Sequence, residues 1–406
     1  MLPPDADAVL VRHGDVGVKS SSVQAGMERT LRDNVAALME DRGVSGTVER
    51  ELGRVIVRSE DADAAADAAT DAFGVVSASP ARTVPPDLDA IRDVLAETAR
   101  EHYDGGTFAV RARRTGEHDF TSHDVGQDGG QTIWNVAEDE KEFAPEVDLD
   151  DPDWEVSVEV REEEAFVFLE KREGPGGLPL GTQAPFVALV SGGIDSPVAA
   201  WEAMKRGSPV IPVYLDLGPY GGPDHEARAV ETVRRLSRYA PNFDMDLRRV
   251  PAGPHVQKLG EQTGRTRMLH YRRFMYRVAE HVAEAEGGVG IVTGEAIGQK
   301  SSQTATNFAA VDRAAALPIH RPLLTWDKHD IIDAAKAIGT FQDATMNVGC
   351  NRLAPDQPAT ATKFPMVKSA EPDDLFEWAA EAAENADVVS VDPADAVDAE
   401  PEESTP

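Results

Sequence analysis

Cysteine is almost absent: Cys350 is the one thiol in 406 residues. That excludes an internal disulfide framework and a four-cysteine metal site, so no structural zinc of that kind is expected. Lysine is scarce too, with 10 Lys against 30 Arg, and the 40 bases face 72 acids for a net charge of -32. Long apolar stretches are missing. No run approaches the ~18 residues of a spanning helix, so no membrane association is expected and the chain reads as soluble. The start, MLPPDADAVLVRHGD, shows neither a basic stretch followed by an apolar one nor a small-residue cleavage site, which makes the cytoplasm the expected compartment.

Such an acid excess normally argues against nucleic acid as a partner, because phosphate binding needs cationic surface. An acid-rich, lysine-poor chain is also what a protein in molar salt looks like, and there the Debye length of about 3 Å hides the global charge. We read the source as halophilic; full activity after refolding in low salt would contradict that. A local basic patch then matters more than the total. Gln262 to Ala279 supplies a candidate, with no acid and with Arg265, Arg267, Arg272, Arg273 and Arg277.

At roughly 100 to 200 residues per domain, the length allows two to four domains and a sizeable core. The first eighty residues read as strand, helix, strand, helix: VLVRHGDVGV, RTLRDNVAALMEDRG, GRVIVR and DADAAADAATDAFG. SPARTVPPD, with Pro80, Pro85 and Pro86, marks a first boundary. A second region opens with the helix LDAIRDVLAETAREHY and the strand TFAVRARR, near whose end Arg111, Arg113 and Arg114 project. Glu138 to Glu164 holds fourteen acids and two bases, read as a solvated face, and WEVSVEVRE with EAFVFLEKRE looks like a hairpin. The linker GPGGLPLGTQAP closes this half. Beyond it FVALV, PVAAWEAMKRG, PVIPVYLDL and GVGIVTG alternate as strands and helices, the pattern of a doubly wound parallel sheet. From Glu371 onward come thirteen acids and no Lys or Arg, expected as one short helix at most and then disorder.

Between the first strand and first helix of the back half lies SGGIDSP. The strand delivers the chain to the carboxyl edge of the sheet, where open α/β folds bind their ligands. Gly192 and Gly193 let backbone N–H groups close on an anion, a helix expected to start at Pro197 adds its positive dipole end, and Ser191 and Ser196 offer hydroxyls. Asp195 beside an anion is costly unless a cation sits between them, so a phosphate carrying Mg2+ is the natural ligand. Five fixed positions at ~5 to 8% usage each make a chance match rare. A plain Gly-rich turn is the bland alternative.

SGGIDS resembles the pyrophosphate-binding loop (PP-loop) of the ATP pyrophosphatase superfamily, whose members cleave ATP between the α and β phosphates and adenylate a substrate. No GK[ST] follows, so γ-phosphate transfer is not implied. GGLPLGTQ, RRFMYRVAEHVA, VTGEAIGQKSSQTATN, RPLLTWDKHDII and AKAIGTF resemble the 4-thiouridine synthases, the ThiI-type tRNA sulfurtransferases. In the front half, VRHGDVGVKS and GRVIVR resemble that family's ferredoxin-like domain, and TFAVRARR with the hairpin resembles its THUMP RNA-binding domain. The implied fold is α/β: α+β ferredoxin-like (1–80) and THUMP (81–173) domains, a doubly wound PP-loop ATP pyrophosphatase domain (174–370), and a disordered acidic tail (371–406).

The resemblance also implies site residues. Ser191, Gly192, Gly193, Asp195 and Ser196 would grip the ATP phosphates, with adenine against Leu189, Val190, Tyr214 and Leu215. Arg273, Gly294 and Gln303 would make further nucleotide contacts, and Lys328 would neutralise charge as pyrophosphate leaves. Cys350, in NVGCNRLAPD, would carry sulfur as a persulfide or release it as a thiolate; read from the residues alone, it could equally be a small buried hydrophobe. The implied reaction adenylates O4 of uridine 8 in tRNA and replaces it with sulfur to give 4-thiouridine, with Arg111, Arg113 and Arg114 on the surface that holds the tRNA acceptor end. ATP and Mg2+ are the implied cofactors and no protein metal site is expected. Partners would be tRNA, a sulfur donor (sulfide or a persulfide carrier protein) and, as a homodimer, a second copy.

Three departures from the family bear on sulfur. The acidic tail stands where many bacterial members have a rhodanese domain, Leu353 occupies the second position of the CxxC found in some archaeal members, and Asp216 lies where bacterial members often have histidines. A role in thiamine synthesis is therefore not implied. Two other readings stay open here: another PP-loop tRNA-modifying adenylating enzyme, or a tRNA-binding protein with an inactive nucleotide site.

Overall fold

The computed structural model describes residues 1–14, 20–51, 54–221, 223–342 and 353–392. The chain divides into two compact units, Met1–Pro179 and Leu180–Pro406.

The first unit runs β1 (Ala8–His13), α1 (Ser21–Asp41), β2 (Thr47–Glu51), β3 (Arg54–Arg58), α2 (Ala62–Thr70), β4 (Val75–Val84), α3 (Leu88–His102), β5 (Thr107–Arg114), α4 (Ser122–Asn135), β6 (Glu146–Val147), β7 (Trp154–Val160), β8 (Ala165–Phe168) and β9 (Arg172–Glu173). Helices begin where the sequence can cap them. Asp61 and Asp87 accept from the backbone N–H three residues on, and Thr121 with Asp124 forms a reciprocal capping box at α4. The strands make one sheet in the order β2-β3-β1-β4-β8-β7-β5-β6, with β9 also beside β4.

The sheet corrects two expectations. β2 falls outside the strand, helix, strand, helix reading, because TVERE has only one strongly apolar residue; it pairs along all five residues with β3. The stretch SPARTV, expected as part of a turn, is instead the end of β4, which pairs β1 through Ala81 and then β8 from Arg82. Pro80 is tolerated because the second edge of β4 carries β9 at Ser77–Ala78 and β8 at Arg82–Val84, leaving the proline between them. Residues 1–80 and 81–173 thus share a continuous sheet. The hairpin is present, β7 against β8. Glu159 departs from the solvated reading of the acid run: burial pushes its carboxyl up, but Arg54, Arg161 and Arg12 hold it net below the ordinary range.

The second unit runs β10 (Phe186–Val190), α5 (Asp195–Lys205), β11 (Val210–Asp216), α6 (Pro223–Ser237), β12 (Leu247–Pro251), α7 (Gly253–Gln262), α8 (Arg267–Glu286), β13 (Ile291–Val292), α9 (Ala305–Val311), β14 (Ile319–His320), α10 (Lys328–Ala337), α11 (Phe364–Ser369), α12 (Leu375–Glu384) and β15 (Asp387–Val389). The order is β14-β13-β10-β11-β12-β15, parallel except for β15. Central strands such as VIPVYLD are buried almost throughout, as a sheet covered on both faces requires. The chain moves from β10 to β11 and β12 on one side and later to β13 and β14 on the other. The crevice at this reversal, beyond the carboxyl ends of β10 and β13, is where such sheets bind ligands.

The acidic tail is also corrected. Residues 371–392 are ordered parts of this unit, and α12 buries Leu375, Trp378, Ala379 and Ala382 in the core that holds Phe274 and Tyr276 of α8. Those four lie at the i, i+3, i+4, i+7 spacing of a helix face, a signal hidden by the surrounding acids. β15 then pairs with β12, where Arg249 Nε donates to Asp387 Oδ1 at 3.0 Å. The expectation for 393–406 lies outside the described residues.

Candidate active site

β10 ends in Leu189 and Val190, and the loop that follows folds on its own hydroxyls. Ser196 Oγ accepts from Ser191 N at 2.9 Å and lies 3.2 Å from Ser191 Oγ, while Ser191 Oγ accepts from Gly193 N at 3.3 Å. The helix begins at Asp195, two residues before the expected Pro197. The serines therefore shape the loop as well as presenting hydroxyls near the helix dipole.

Gly294, just past β13, packs directly on this turn. A Cβ there would lie 2.6 Å from the carbonyl carbon of Asp195 and 2.7 Å from Ser196 N, both backbone atoms that cannot swing aside. Any side chain at 294 would push the strand end off the loop.

The crevice is a cavity of about 330 Å³, within the range of small-molecule sites. Its lining includes Leu189, Val190, Ser191, Gly192, Gly193, Asp195, Ser196, Tyr214, Leu215, Gly294 and Gln303, eleven of the twelve residues expected at the nucleotide. Burial, and behind it Asp216 and Glu226, pushes the Tyr214 phenol up, so it stays neutral.

Arg273 is the exception. Its guanidinium pairs with Glu371, both side chains 2% exposed, Nη1 donates to Ala310 O at 3.2 Å, and the group lies over Phe364 and Phe376. It ties α8 to the C-terminal segment, and its neighbour Arg272 lines the cavity instead. Sequence reading missed this because adjacent residues on a helix point about 100° apart and only packing decides which faces the ligand. The supposed basic patch dissolves likewise: Arg272 pairs with Glu295, Arg273 with Glu371 and Arg277 with Glu280, while Arg265 and Arg267 donate to backbone carbonyls.

At the cavity wall lies a buried network that joins Arg272 to Tyr276, Thr293, Glu295 and Arg321, four residues absent from the expected set. Arg272 donates through Nε to Glu295 Oε1, while Glu295 Oε2 accepts from Tyr276 Oη at 2.5 Å, Thr293 Oγ1 at 3.0 Å and Arg321 Nε at 3.0 Å. Burial pushes the Glu295 carboxyl up, but Arg272 and Arg321, with the Tyr276 hydroxyl, hold it net below the ordinary range. Arg272 Nη1 and Gln303 Oε1 are buried and make no hydrogen bond to any of the described residues. One cationic donor and one neutral acceptor in the lining suit a ligand with an anionic end and an amino group, as a nucleotide has.

Lys328, the first residue of α10, reaches the loop: its Nζ donates to Asp195 Oδ1 at 2.6 Å. No cluster of three or more metal-ligating side chains occurs among the described residues. Asp195 suits Mg2+ that arrives on phosphate, since that ion takes one or two carboxylates plus substrate oxygens. Cys350 lies outside the described residues.

The first unit has a cleft of about 930 Å³ whose lining includes Arg12, Arg111, Arg113, His123, Trp134 and Lys171. Arg111 is already engaged with Glu155 at 2.8 Å and Leu149 O at 2.6 Å, whereas Arg114 turns to Gly116 O. Of the described helices, none is long and apolar enough to cross a membrane.

Comparison with known proteins agrees with this arrangement. Residues 8–79 match the ThiI ferredoxin-like domain, 85–170 the THUMP domain and 181–375 the thiamine biosynthesis protein (ThiI) family. A probable tRNA sulfurtransferase of Halobacterium salinarum is 66% identical over 391 residues, spanning 96% of this chain and 99% of that one. One from Methanosarcina mazei is 39% identical over 366 residues, 89% of this chain and 90% of its own. The crystal structure of a 4-thiouridine synthetase in complex with RNA and bound ATP superposes with a TM-score of 0.83 at 28% identity, covering 95% of this chain and all of that one (100%). With the sheet reversal, the SGGIDS loop and the front-half sheet all in place, the chain belongs to the tRNA sulfurtransferase family.

Proposed function

We propose that this chain is an ATP-dependent tRNA uracil 4-sulfurtransferase that converts uridine 8 of tRNA to 4-thiouridine through an adenylated base. The observation that carries this is the crevice of the second unit, where the SGGIDS turn, Gly294, Arg272 and Gln303 surround one cavity with Lys328 on Asp195.

The chemistry follows from the substrate. Uridine O4 belongs to an amide-like carbonyl and is a poor leaving group. O4 attacks the α-phosphorus of ATP, the bond to the β-phosphate oxygen breaks, and pyrophosphate leaves. Hydrosulfide sulfur then adds to C4, the C4–O4 bond breaks, and O4 departs within AMP, while the sulfide proton passes to pyrophosphate or solvent. With sulfide as donor the sequence balances without an oxidant or reductant. In this reading the turn and the α5 dipole bind the phosphates, Lys328 offsets charge on the departing pyrophosphate, and Leu189, Val190, Tyr214 and Leu215 pack the adenine. Mg2+ carried on the phosphates beside Asp195 would supply further charge neutralisation.

Cys350 is the proposed sulfur-handling thiol. Ala354, four residues later in the sequence, lines the cavity. A persulfide on Cys350 would need an external thiol to reduce it, since the chain has no second cysteine. The first-unit cleft, with Arg113, Lys171 and Trp134, is the proposed RNA surface, and a homodimer in the cytoplasm is the proposed assembly and setting.

The test is incubation of the purified protein, in high salt, with tRNA transcript, Mg-ATP and sulfide, followed by nucleoside analysis. 4-Thiouridine at position 8 is expected; pyrophosphate release without it would contradict the reading. In tRNA from cells carrying Cys350→Ser, unchanged thiouridine would remove this residue from the mechanism.

A further inference from the structure

Asn307, in the first turn of α9, is completely buried, at 0% exposure. Its side-chain nitrogen donates to Ser302 O at 3.2 Å and Ala359 O at 2.9 Å, and its Oδ1 accepts from Thr362 N at 3.0 Å. The orientation is fixed by these partners, because a flipped amide would set oxygen against two carbonyls and NH2 against an N–H. Thr304, the N-cap of α9, works beside it. Its Oγ1 donates to Thr360 O at 2.7 Å and accepts from Asn307 N at 3.3 Å.

These bonds join two pieces of chain that are distant in sequence. One is the turn through Ser302 and Gln303, which forms one wall of the nucleotide cavity; the other is the stretch ending at Thr362, whose Ala354 and Pro358 form another wall. In sequence that second stretch, described from Leu353, comes three residues after Cys350, which itself lies outside the described residues. A buried amide is stable only when its hydrogen bonds are made, and apolar packing alone would be served as well by leucine.

We propose that Asn307 and Thr304 form a clasp that couples the two halves of the reaction. It holds the nucleotide-binding turn and the stretch after Cys350 in one register, so that the adenylated uridine meets sulfur before water. The inference rests on the function proposed above. With the clasp loosened, the adenylated base still forms, but water adds at C4 in place of hydrosulfide; the C4–O4 bond breaks, AMP leaves, and uridine is regenerated with an oxygen from water. Pyrophosphate release then exceeds thiouridine formation. Both are positioning residues.

Thr304→Asp tests this without removing the helix cap, because aspartate caps as well as threonine while losing the donor to Thr360 O and facing that carbonyl with a negative charge. The full chain is incubated with tRNA transcript, Mg-ATP and sulfide in high salt, and pyrophosphate and 4-thiouridine are counted together. Wild type should release about one pyrophosphate per thiouridine. Thr304→Asp should raise that ratio roughly tenfold, given how strongly an ångström of misplacement slows a reaction, with its melting temperature close to that of wild type. Thr304→Ser, which restores donor and cap, should return the ratio to the wild-type value. A Thr304→Asp protein with an unchanged ratio, or with both products lowered in equal proportion, would overturn the clasp. Wild-type protein that releases pyrophosphate yet makes no thiouridine would overturn the function on which it rests.

Discussion

Lys328 Nζ sits 2.6 Å from Asp195 Oδ1, joining the first residue of α10 to the first residue of α5 across 133 positions of sequence. The pair places a cation and a carboxylate beside the turn proposed to bind the ATP phosphates. Both side chains keep some solvent access, 41% for the lysine and 29% for the aspartate, so the contact can rearrange when a charged ligand arrives. Loss of Asp195 as Asp195→Ala should abolish ATP-dependent pyrophosphate release while tRNA binding, measured by filter retention, persists. Lys328→Met should slow turnover by roughly a hundredfold, as for the loss of one transition-state charge contact, with a much smaller change in KM for ATP.

Gly294 is expected to be intolerant for a steric reason. Its added methyl would meet the Asp195 and Ser196 backbone below 3 Å, and forcing a methyl into a packed site costs about 1–3 kcal/mol. Gly294→Ala should lower the melting temperature and weaken binding of an ATP analogue; an unchanged affinity by calorimetry would show that strand and loop do not need this approach.

The neighbouring arginines of α8 should separate. Arg272→Lys keeps the charge on Glu295 but loses the fork, and should weaken ATP binding about tenfold or more. Arg273→Lys should chiefly lower the melting temperature, since its partners are Glu371 and Ala310 O, leaving ATP affinity near wild type. The reverse pattern in paired calorimetry and melting curves would restore Arg273 to the nucleotide site.

Glu295 sets an acid limit on the fold. Its folded carboxyl is held below the ordinary range despite burial, so its contribution is present above the unfolded value of about 4.3 and is lost as pH falls through the lower folded value. Glu295→Gln leaves Arg272 and Arg321 without their shared anion and should cost about 3–5 kcal/mol near neutrality. It should also flatten the loss of stability below about pH 4.3. Denaturation curves from pH 7 to 3 at constant salt check both, and a parallel displacement of the two curves would contradict the assignment.

Much of the site was legible because its signal is local. SGGIDS lies between a buried strand and a helix, and the hydrophobic patterns around it locate the sheet edge. Gly294, Gln303 and Lys328 were legible only through resemblance, since nothing in their own neighbourhoods says that they meet the turn. What escaped was decided by packing. Arg272 and Arg273 are indistinguishable in sequence, and the Arg272–Glu295–Arg321 network joins three segments whose proximity exists only in the fold. The face of α12 was obscured by acids, and Pro80 concealed a strand because its cost depends on what lies along the other edge of β4. Cys350 remains an expectation from sequence.

The most direct measurement of the central claim follows one oxygen. tRNA transcript carrying oxygen-18 at C4 of the target uridine is thiolated with Mg-ATP and sulfide, and the AMP is weighed by mass spectrometry. Activation of the base through its own O4 predicts one heavy oxygen in AMP for each 4-thiouridine formed. Unlabelled AMP, with the heavy oxygen in water or pyrophosphate, would contradict it.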